Sequence, residues 1–501
     1  MTTEEILRDL LAQGLSDEEL ARALLELTLQ AAPPEVAEAV RLCALPAWFD
    51  ADLLALLLQP SPTPYPLPLP NLGEGGGQGE GEGQPLPPDQ KRLAELLERL
   101  LAQIGQSPQP TPERREAAAT LIEQVAAFSF VLPREGGGYV YHESTRARLL
   151  DWWRLPQNRE RYAALTDRLA DHSITLAQEQ VPRLQGPHYL AALAALDAAY
   201  PNIRAAWEGA AETKNWPRLR DLAYALPNYF RLRGRWADWI AWSRAGLDAC
   251  TRLGDEAGAA AMQNNLGLAY AALPTVATGD RAANLQQAIA CYREALRFLT
   301  PEAAPLAYAA TQNNLGNAYL FLPTGDRAAN LAAAIACYTA ALQVEHLLPE
   351  DKALLHRNRA DSLIRLGRLE EAEQDCAQAR ALAPDHPYTH ARLGQLAFAR
   401  AGYAAAVEHY TAALERQPEA AFYFDRGRAY LALGQPDQAL ADYQAGLATA
   451  DALAIAGARQ ELEEFATEHP DIPGLDAVRA LLAPHSPDNL SGVEASAGSA
   501  A

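Results

Sequence analysis

The sequence predicts an all-α protein whose C-terminal half is a solenoid, a series of helical hairpins stacked one on the next. Three observations predict this fold class. Of the 501 residues, 49% are hydrophobic, which is enough for several packed cores. Residues 262–296 and 311–342 have closely similar sequences, which indicates an internal duplication. In each copy, small and aromatic residues recur at helical spacing on two successive segments.

Each copy of the repeat predicts two helices that pack closely. Gly267 in the first copy corresponds to Gly316 in the second, and Tyr292 corresponds to Tyr338. A small residue on one helix lets a second helix approach, and an aromatic side chain then fills the space between them. Pro, Gly and Asp in the intervening sequence LPTGD are turn formers, so we expect a loop between the two helices.

These positions resemble the tetratricopeptide repeat (TPR), a helical hairpin of about 34 residues with Leu-Gly, Tyr, Ala and an aromatic residue at fixed positions. Later units keep the pattern, as at Gly394 and Tyr410, although Cys376 replaces the aromatic residue of one unit. The resemblance implies a TPR α-solenoid, a right-handed superhelix with five units over residues 257–450.

The N-terminal half predicts a different module. Short helices are followed by an apolar strand, a Gly-rich turn and a second strand ending near Tyr141, which is the pattern of a β-hairpin. This order, with Trp-Phe-Asp from residue 48 and Tyr-His…Arg over 141–146, resembles the winged-helix module of STAND-type signalling ATPases. Residues 196–210 and 228–242 resemble the helical arm of the same family.

The nucleotide-binding motif of that family is absent, because the sequence has no GxxxxGK[ST] and no Gly-Lys pair. We therefore expect no nucleotide binding by this chain alone. The predicted domains are N-terminal helices over 1–32, a winged-helix-like module over 33–155 with a low-complexity insertion at 59–90, a helical arm with a degenerate repeat over 156–256, the TPR array over 257–450, polar-faced capping helices over 451–483 and a disordered tail over 484–501.

Composition disfavours several function classes. A net charge of −21, with 42 basic against 63 acidic residues, argues against nucleic-acid binding. The five cysteines are far apart, and no leader or long apolar segment is seen, which predicts reduced thiols, a cytoplasmic location and no membrane association. His142-Glu143 does not extend to HExxH, and no other catalytic motif is found. We expect no enzyme activity, metal or cofactor.

The expected binding site is the concave groove that the first helices of TPR units line in that family. The resemblance implies that a protein or peptide partner contacts polar and aromatic side chains there. They are Asn264, Asn313, Asn317, Arg357, Asn358, Asp361, Arg365, Tyr388, Arg392, Gln395, Phe398, Asp425 and Arg428. Amides can bind an extended peptide backbone, and arginine can pair with a carboxylate through two hydrogen bonds.

Chaperone-binding TPRs hold the C-terminal carboxylate of a peptide with five side chains from three repeats. Asn317, Asn358 and Arg392 match three of these positions, whereas Asn313 and Tyr388 stand where that family has lysines. Without the lysines, such a site loses most of its positive charge. Other contacts in the groove are therefore the expected means of peptide binding.

The sequence predicts a non-catalytic TPR scaffold or sensor in bacterial signalling. One alternative is a winged-helix transcriptional regulator with a TPR sensor, although its third helix would have only Arg114 and Arg115 against three glutamates. Another is the regulatory half of a STAND-type ATPase completed by a partner.

Overall fold

The computed structural model describes residues 16–59, 112–273 and 280–483. It contains two compact units, 1–273 and 274–501. The described residues are mostly helical with one two-stranded sheet, so the predicted fold class is confirmed. No helix among them is long and apolar enough to cross a membrane. The insertion after residue 59, the predicted helices before residue 16 and the predicted tail lie outside the described residues.

The first unit begins with a small module in which helices flank a hairpin. In order, its helices are α1 (Asp17–Ala31), α2 (Pro34–Leu42), α3 (Ala51–Leu57), α4 (Pro112–Ala126) and α5 (Glu143–Trp153). Strands β1 (Val131–Pro133) and β2 (Tyr139–Tyr141) pair antiparallel between α4 and α5. The hairpin is shorter than its sequence predicted. Gly138 in its turn has φ +73°, a conformation that glycine adopts without strain.

The Trp-Phe-Asp motif has a structural role in this module. The Asp50 carboxylate caps α3 by accepting a hydrogen bond from the Leu53 backbone N–H at 2.9 Å. The Phe49 backbone pairs with Tyr139 and adds a bridge to the hairpin. The Arg146 guanidinium donates hydrogen bonds to the backbone carbonyls of residues 44–46, which explains the arginine of the second motif.

The rest of the first unit is helical and rich in tryptophan. Its helices are α6 (Arg159–Gln180), α7 (Tyr189–Glu212), α8 (Trp216–Ala225), α9 (Pro227–Arg233), α10 (Trp236–Leu253) and α11 (Glu256–Ala272). Trp242 stacks on Trp207 with ring centroids 4.2 Å apart and meets the edge of Phe230. Trp242 and Phe230 belong to the hydrophobic core of this helical part, and the partly buried Trp207 packs against it.

The second unit is a series of helical hairpins. Its helices are α12 (Arg281–Ala295), α13 (Pro305–Leu320), α14 (Arg327–Leu342), α15 (Pro349–Arg365), α16 (Leu369–Leu382), α17 (Pro387–Ala399), α18 (Tyr403–Arg416), α19 (Ala420–Ala432), α20 (Pro436–Leu447), α21 (Ala452–Glu468) and α22 (Leu475–Leu482). Each odd-numbered helix from α13 to α19 packs against the next helix to make a hairpin. The first helices of neighbouring hairpins also pack on each other, as α15 does on α17.

Glycine–tyrosine contacts hold three of these hairpins together. The pairs are Gly316 with Tyr338, Gly394 with Tyr410, and Gly427 with Tyr443. A Cβ on any of these glycines would lie within 2.8 Å of the tyrosine ring, closer than van der Waals contact allows. Each tyrosine is at most 1% exposed. The packing role predicted for the small and aromatic residues is therefore confirmed at these three pairs.

Two hairpins each contain an ion pair to a buried aspartate that the sequence did not predict. The Arg359 guanidinium on α15 donates two hydrogen bonds to the Asp375 carboxylate on α16, both 2.7 Å long. It donates a third, at 3.0 Å, to the Thr339 hydroxyl on α14. The same arrangement recurs with Arg426, Asp442 and Thr411. Each arginine thus links two successive hairpins.

Candidate functional site

The predicted groove residues of the second unit all lie on the first helices of its hairpins. We call the surface of α13, α15, α17 and α19 the first-helix face. Asn313 and Asn317 are on α13, and α15 carries 357, 358, 361 and 365. Residues 388, 392, 395 and 398 are on α17, and 425 and 428 on α19. Asn264 belongs to α11 of the first unit, where it is half-buried.

The asparagines of this face bind other residues of the chain. The Asn358 side chain donates a hydrogen bond to the Asn313 Oδ1 at 2.9 Å, which joins α15 to α13. The Tyr338 hydroxyl donates to the Asn317 Oδ1 at 2.7 Å. Two of the three residues that match the carboxylate-binding pattern, Asn317 and Asn358, therefore already hold hydrogen bonds within the protein.

Helix α21, which follows the last hairpin, contacts one end of the first-helix face. The Glu461 carboxylate lies 2.8 Å from the Arg428 Nη1 and 3.5 Å from the Arg365 Nη2. The ring of Phe465 packs near that of Phe398, with centroids 5.9 Å apart. We call Arg365, Phe398, Asp425 and Arg428 the covered end.

The prediction that residues 451–483 form polar-faced capping helices did not include this contact with the first-helix face. Ala458, Leu462 and Phe465 of α21 are all buried. Their spacing of four and three residues places them on one side of the helix, so α21 has an apolar face that needs a packing partner. That spacing was visible in the sequence, and it is the signal that could have revealed the contact.

Two buried aspartates on this face have different electrostatic surroundings. Asp361 receives a hydrogen bond from the Arg365 Nε at 2.8 Å and lies 3.5 Å from the Arg392 Nη1. Burial acts to raise the pKa of Asp361, but the charges of Arg392 and Arg365 outweigh it and lower this pKa. Burial raises the pKa of Asp425 to about 6, despite a hydrogen bond of 2.7 Å from Arg428.

Five of the remaining residues form what we call the polar patch: Asn313, Arg357, Asn358, Tyr388 and Arg392. All except Arg357 are half-buried, and they come from three successive first helices. The Tyr388 hydroxyl donates to the Glu419 carboxylate, and Arg392 donates to the Gln395 side chain. The positive charge of Arg392 lowers the pKa of Arg357, and it opposes the rise that burial causes in the pKa of Tyr388.

Arg357 differs from every other member of the polar patch. It is only 6% exposed, and its Nη1 has no hydrogen-bond partner among the described residues. Burial, together with the positive charge of Arg392, lowers the pKa of Arg357. The Arg392 Nε is likewise buried without a partner in the described part of the chain. The patch therefore contains two guanidinium donors that no described residue uses.

Other candidates from the sequence have structural partners. The His142 Nδ1 lies 2.9 Å from the Ser144 hydroxyl. On α4, Arg115 pairs with Asp52 at 3.4 Å. Across the described ranges 16–59, 112–273 and 280–483, no group of three or more His, Cys, Asp or Glu side chains is placed to hold a metal ion.

Comparison with known protein families gives a match to one hairpin of the second unit. The model of the tetratricopeptide repeat family matches residues 353–386, which span most of α15 and all of α16. This segment is therefore similar to a tetratricopeptide repeat. Arg357, the Asp361 carboxylate and the Arg359–Asp375 pair all lie within the matched segment. No curated protein matches the chain.

Several solved structures are similar to the chain at low identity. A tetratricopeptide repeat protein from Parabacteroides merdae is 16% identical over 54% of this chain and 99% of its own, with a TM-score of 0.36. The assembly chaperone of RpL4, Acl4, is 13% identical over 52% of this chain and 95% of its own, with a TM-score of 0.34. The APC/C hetero-tetramer Cut9–Hcn1 is 16% identical over 74% and 80%, with a TM-score of 0.32.

Proposed function

We propose that the chain is a non-catalytic scaffold or sensor that binds a protein or peptide on the polar patch. The observation that carries this proposal is the patch itself. Amide, hydroxyl and guanidinium groups come from the successive first helices α13, α15 and α17, and two buried guanidinium donors among them have no partner in the described part of the chain. An extended or helical segment offers the acceptors that such a surface needs.

The covered end supports the same proposal. There the first-helix face binds a helix, α21, through an ion pair to Glu461 and an aromatic contact to Phe465. The face is therefore chemically suited to hold a polypeptide segment. A partner on the polar patch would use the same type of surface on α13, α15 and α17.

We further propose that the N-terminal module contacts protein within a signalling system, rather than DNA. The observed order of α2, α3, α4 and the hairpin supports the winged-helix resemblance. Its helix α4 offers Arg114 and Arg115 against three glutamates, and Arg115 is already paired with Asp52. This charge pattern does not suit a phosphate backbone. The five free cysteines support a reducing, cytoplasmic location.

Selection from a random peptide library on the immobilised full chain tests the main proposal. Binding of the selected peptides is measured by fluorescence anisotropy for the unaltered chain and for a Tyr388→Ala, Arg392→Glu variant. We expect this variant to bind at least about 10-fold more weakly, because it loses a charged contact. Arg368→Glu is the control, because Arg368 is exposed at the end of its hairpin and pairs only with Glu371 among the described residues. Peptides that bind both variants equally well would refute the proposal.

A further inference from the structure

Arg357 is a buried cation without a counter-ion in the described part of the chain. A charge removed from water without a partner costs several kcal/mol or more, so buried arginines are normally paired. The same helix provides the contrast. Arg359, two residues further along α15, holds Asp375 through two hydrogen bonds of 2.7 Å. The chain thus supplies a counter-ion to one arginine of α15 and none to the other.

The groups around Arg357 make its positive charge less favourable in the absence of an anion. Burial lowers the pKa of Arg357, and the positive charge of Arg392 lowers it further. His386 caps α17. Burial lowers the pKa of His386, and the positive charge of Arg357 lowers it further. Among the described residues, Arg392 forms an ion pair with Asp361, which is shared with Arg365. Arg357 has no ion pair with a described carboxylate, and the charge that acts on it, that of Arg392, is positive.

The covered end provides an example of an anion bound to arginines of this face, namely a side-chain carboxylate. Glu461 of α21 lies between Arg365 of α15 and Arg428 of α19, so two arginines from different first helices bind one side-chain carboxylate. Arg357 and Arg392 are likewise two arginines from different first helices, α15 and α17. A guanidinium pairs with a carboxylate through charge-assisted hydrogen bonds, and this geometry suits a side chain presented by a segment that lies across the helices.

We infer that Arg357, together with Arg392, binds the side-chain carboxylate of a glutamate or aspartate from the partner on the polar patch. This inference rests on the proposed function and names its ligand chemistry. The ligand carboxylate supplies the counter-ion that Arg357 lacks and accepts the unpaired Arg357 Nη1–H and Arg392 Nε–H groups. The segment's own C-terminus is not required, since the carboxylate is that of a side chain.

Thermal unfolding of the full chain tests the inference with small probes. The probe is N-acetyl-glutamate α-amide, whose one carboxylate is that of the side chain. N-acetyl-glutamine α-amide and sodium phosphate at matched ionic strength are the comparison compounds. We expect the glutamate probe at tens of millimolar to raise the Tm of the unaltered chain by about 2 °C or more, because binding stabilises the folded state. The Arg357→Met variant should lose this rise, and Arg368→Met should keep it.

The unliganded variants give a second readout that a purely structural arginine would not produce. Arg357→Met should melt above the unaltered chain, because it removes an unpaired buried charge, whereas Arg359→Met should melt below it. Arg357→Lys keeps the charge and should retain part of the probe response. A probe response that persists in Arg357→Met, an equal response to glutamine amide or phosphate, or no response at all would overturn the inference.

The two proposals can fail separately. If the selected peptides bind the polar patch but tolerate replacement of every acidic residue by its amide, the carboxylate inference fails and the proposed function stands. If the glutamate probe binds at Arg357 but no peptide depends on Tyr388 and Arg392, the proposed function fails instead.

Discussion

The covered end and the polar patch are two regions of the first-helix face that both contain arginines from different first helices. They differ in the counter-ions that these arginines have. At the covered end, Arg365 and Arg428 both reach Glu461 of the chain's own α21. In the polar patch, Arg357 is buried and unpaired among the described residues. The difference teaches that similar arginines on one face of a repeat array can differ in their counter-ions. The chain itself supplies a carboxylate at the covered end, whereas we propose that a partner supplies it at Arg357.

The largest expected effect comes from breaking the covered end at its apolar contact. Phe465 is 6% exposed and packs against Phe398, so Phe465→Ala leaves a cavity. We expect a loss of about 4 kcal/mol in the free energy of unfolding, measured by urea denaturation. Phe321→Ala is the control, because Phe321 is 57% exposed and should cost little. Equal losses from the two substitutions would mean that α21 is not packed on the face as described.

Removing the charge of Glu461 is the next test of the comparison. Glu461→Gln keeps the shape of the side chain but removes the counter-ion of Arg428, which would make the covered end resemble the polar patch. We expect a loss of about 2 kcal/mol in the free energy of unfolding, because a hydrogen bond between charged groups is weakened. Glu468→Gln, at the exposed end of the same helix, should change stability little. An unchanged free energy of unfolding in Glu461→Gln would show that the ion pair does not stabilise the covered end.

The smallest expected effect concerns pH and the aspartate of the covered end. The pKa of Asp425 is raised to about 6, so the folded chain binds its proton more tightly than the unfolded chain does. Its contribution to stability is therefore present at acidic pH and is lost as pH rises through about 6. Asp425→Asn should remove this part of the pH dependence in denaturation curves measured from pH 4 to pH 7.

Asp361 and Asp437 provide the comparison for that titration. The pKa of Asp361 is lowered by its arginines, so its contribution is present at neutral pH and is lost only as pH falls through that lowered value. Asp437→Asn removes an exposed carboxylate of α20 and serves as the control for loss of one charge. If Asp425→Asn and Asp437→Asn give the same pH dependence, Asp425 does not titrate as proposed.

The parts of the fold with a regular period could be predicted from the sequence. Hairpin spacing and the close contact of Gly316 with Tyr338 follow from local repetition, because each unit packs mainly on its neighbours. The positions of the first-helix face follow from the same register. These features repeat, and repetition is visible in a single sequence.

The pairing of individual charges could not be predicted in the same way. Glu461 and Arg365 are almost a hundred positions apart and belong to no repeat, so no spacing relates them. Arg357 and Arg359 are two residues apart on one helix, yet one is unpaired among the described residues and the other holds Asp375. Their difference depends on which side chains the neighbouring helices present, and this requires coordinates.

The most direct test of the central claim is a double-mutant cycle between Arg357 and a partner carboxylate. A selected peptide, amidated at its C-terminus, is measured with and without a Glu→Gln exchange against the unaltered chain and Arg357→Met. We predict that the exchange weakens binding at least about 10-fold for the unaltered chain and hardly at all for Arg357→Met. Equal losses against both proteins would show that the two groups do not interact, which would contradict the account.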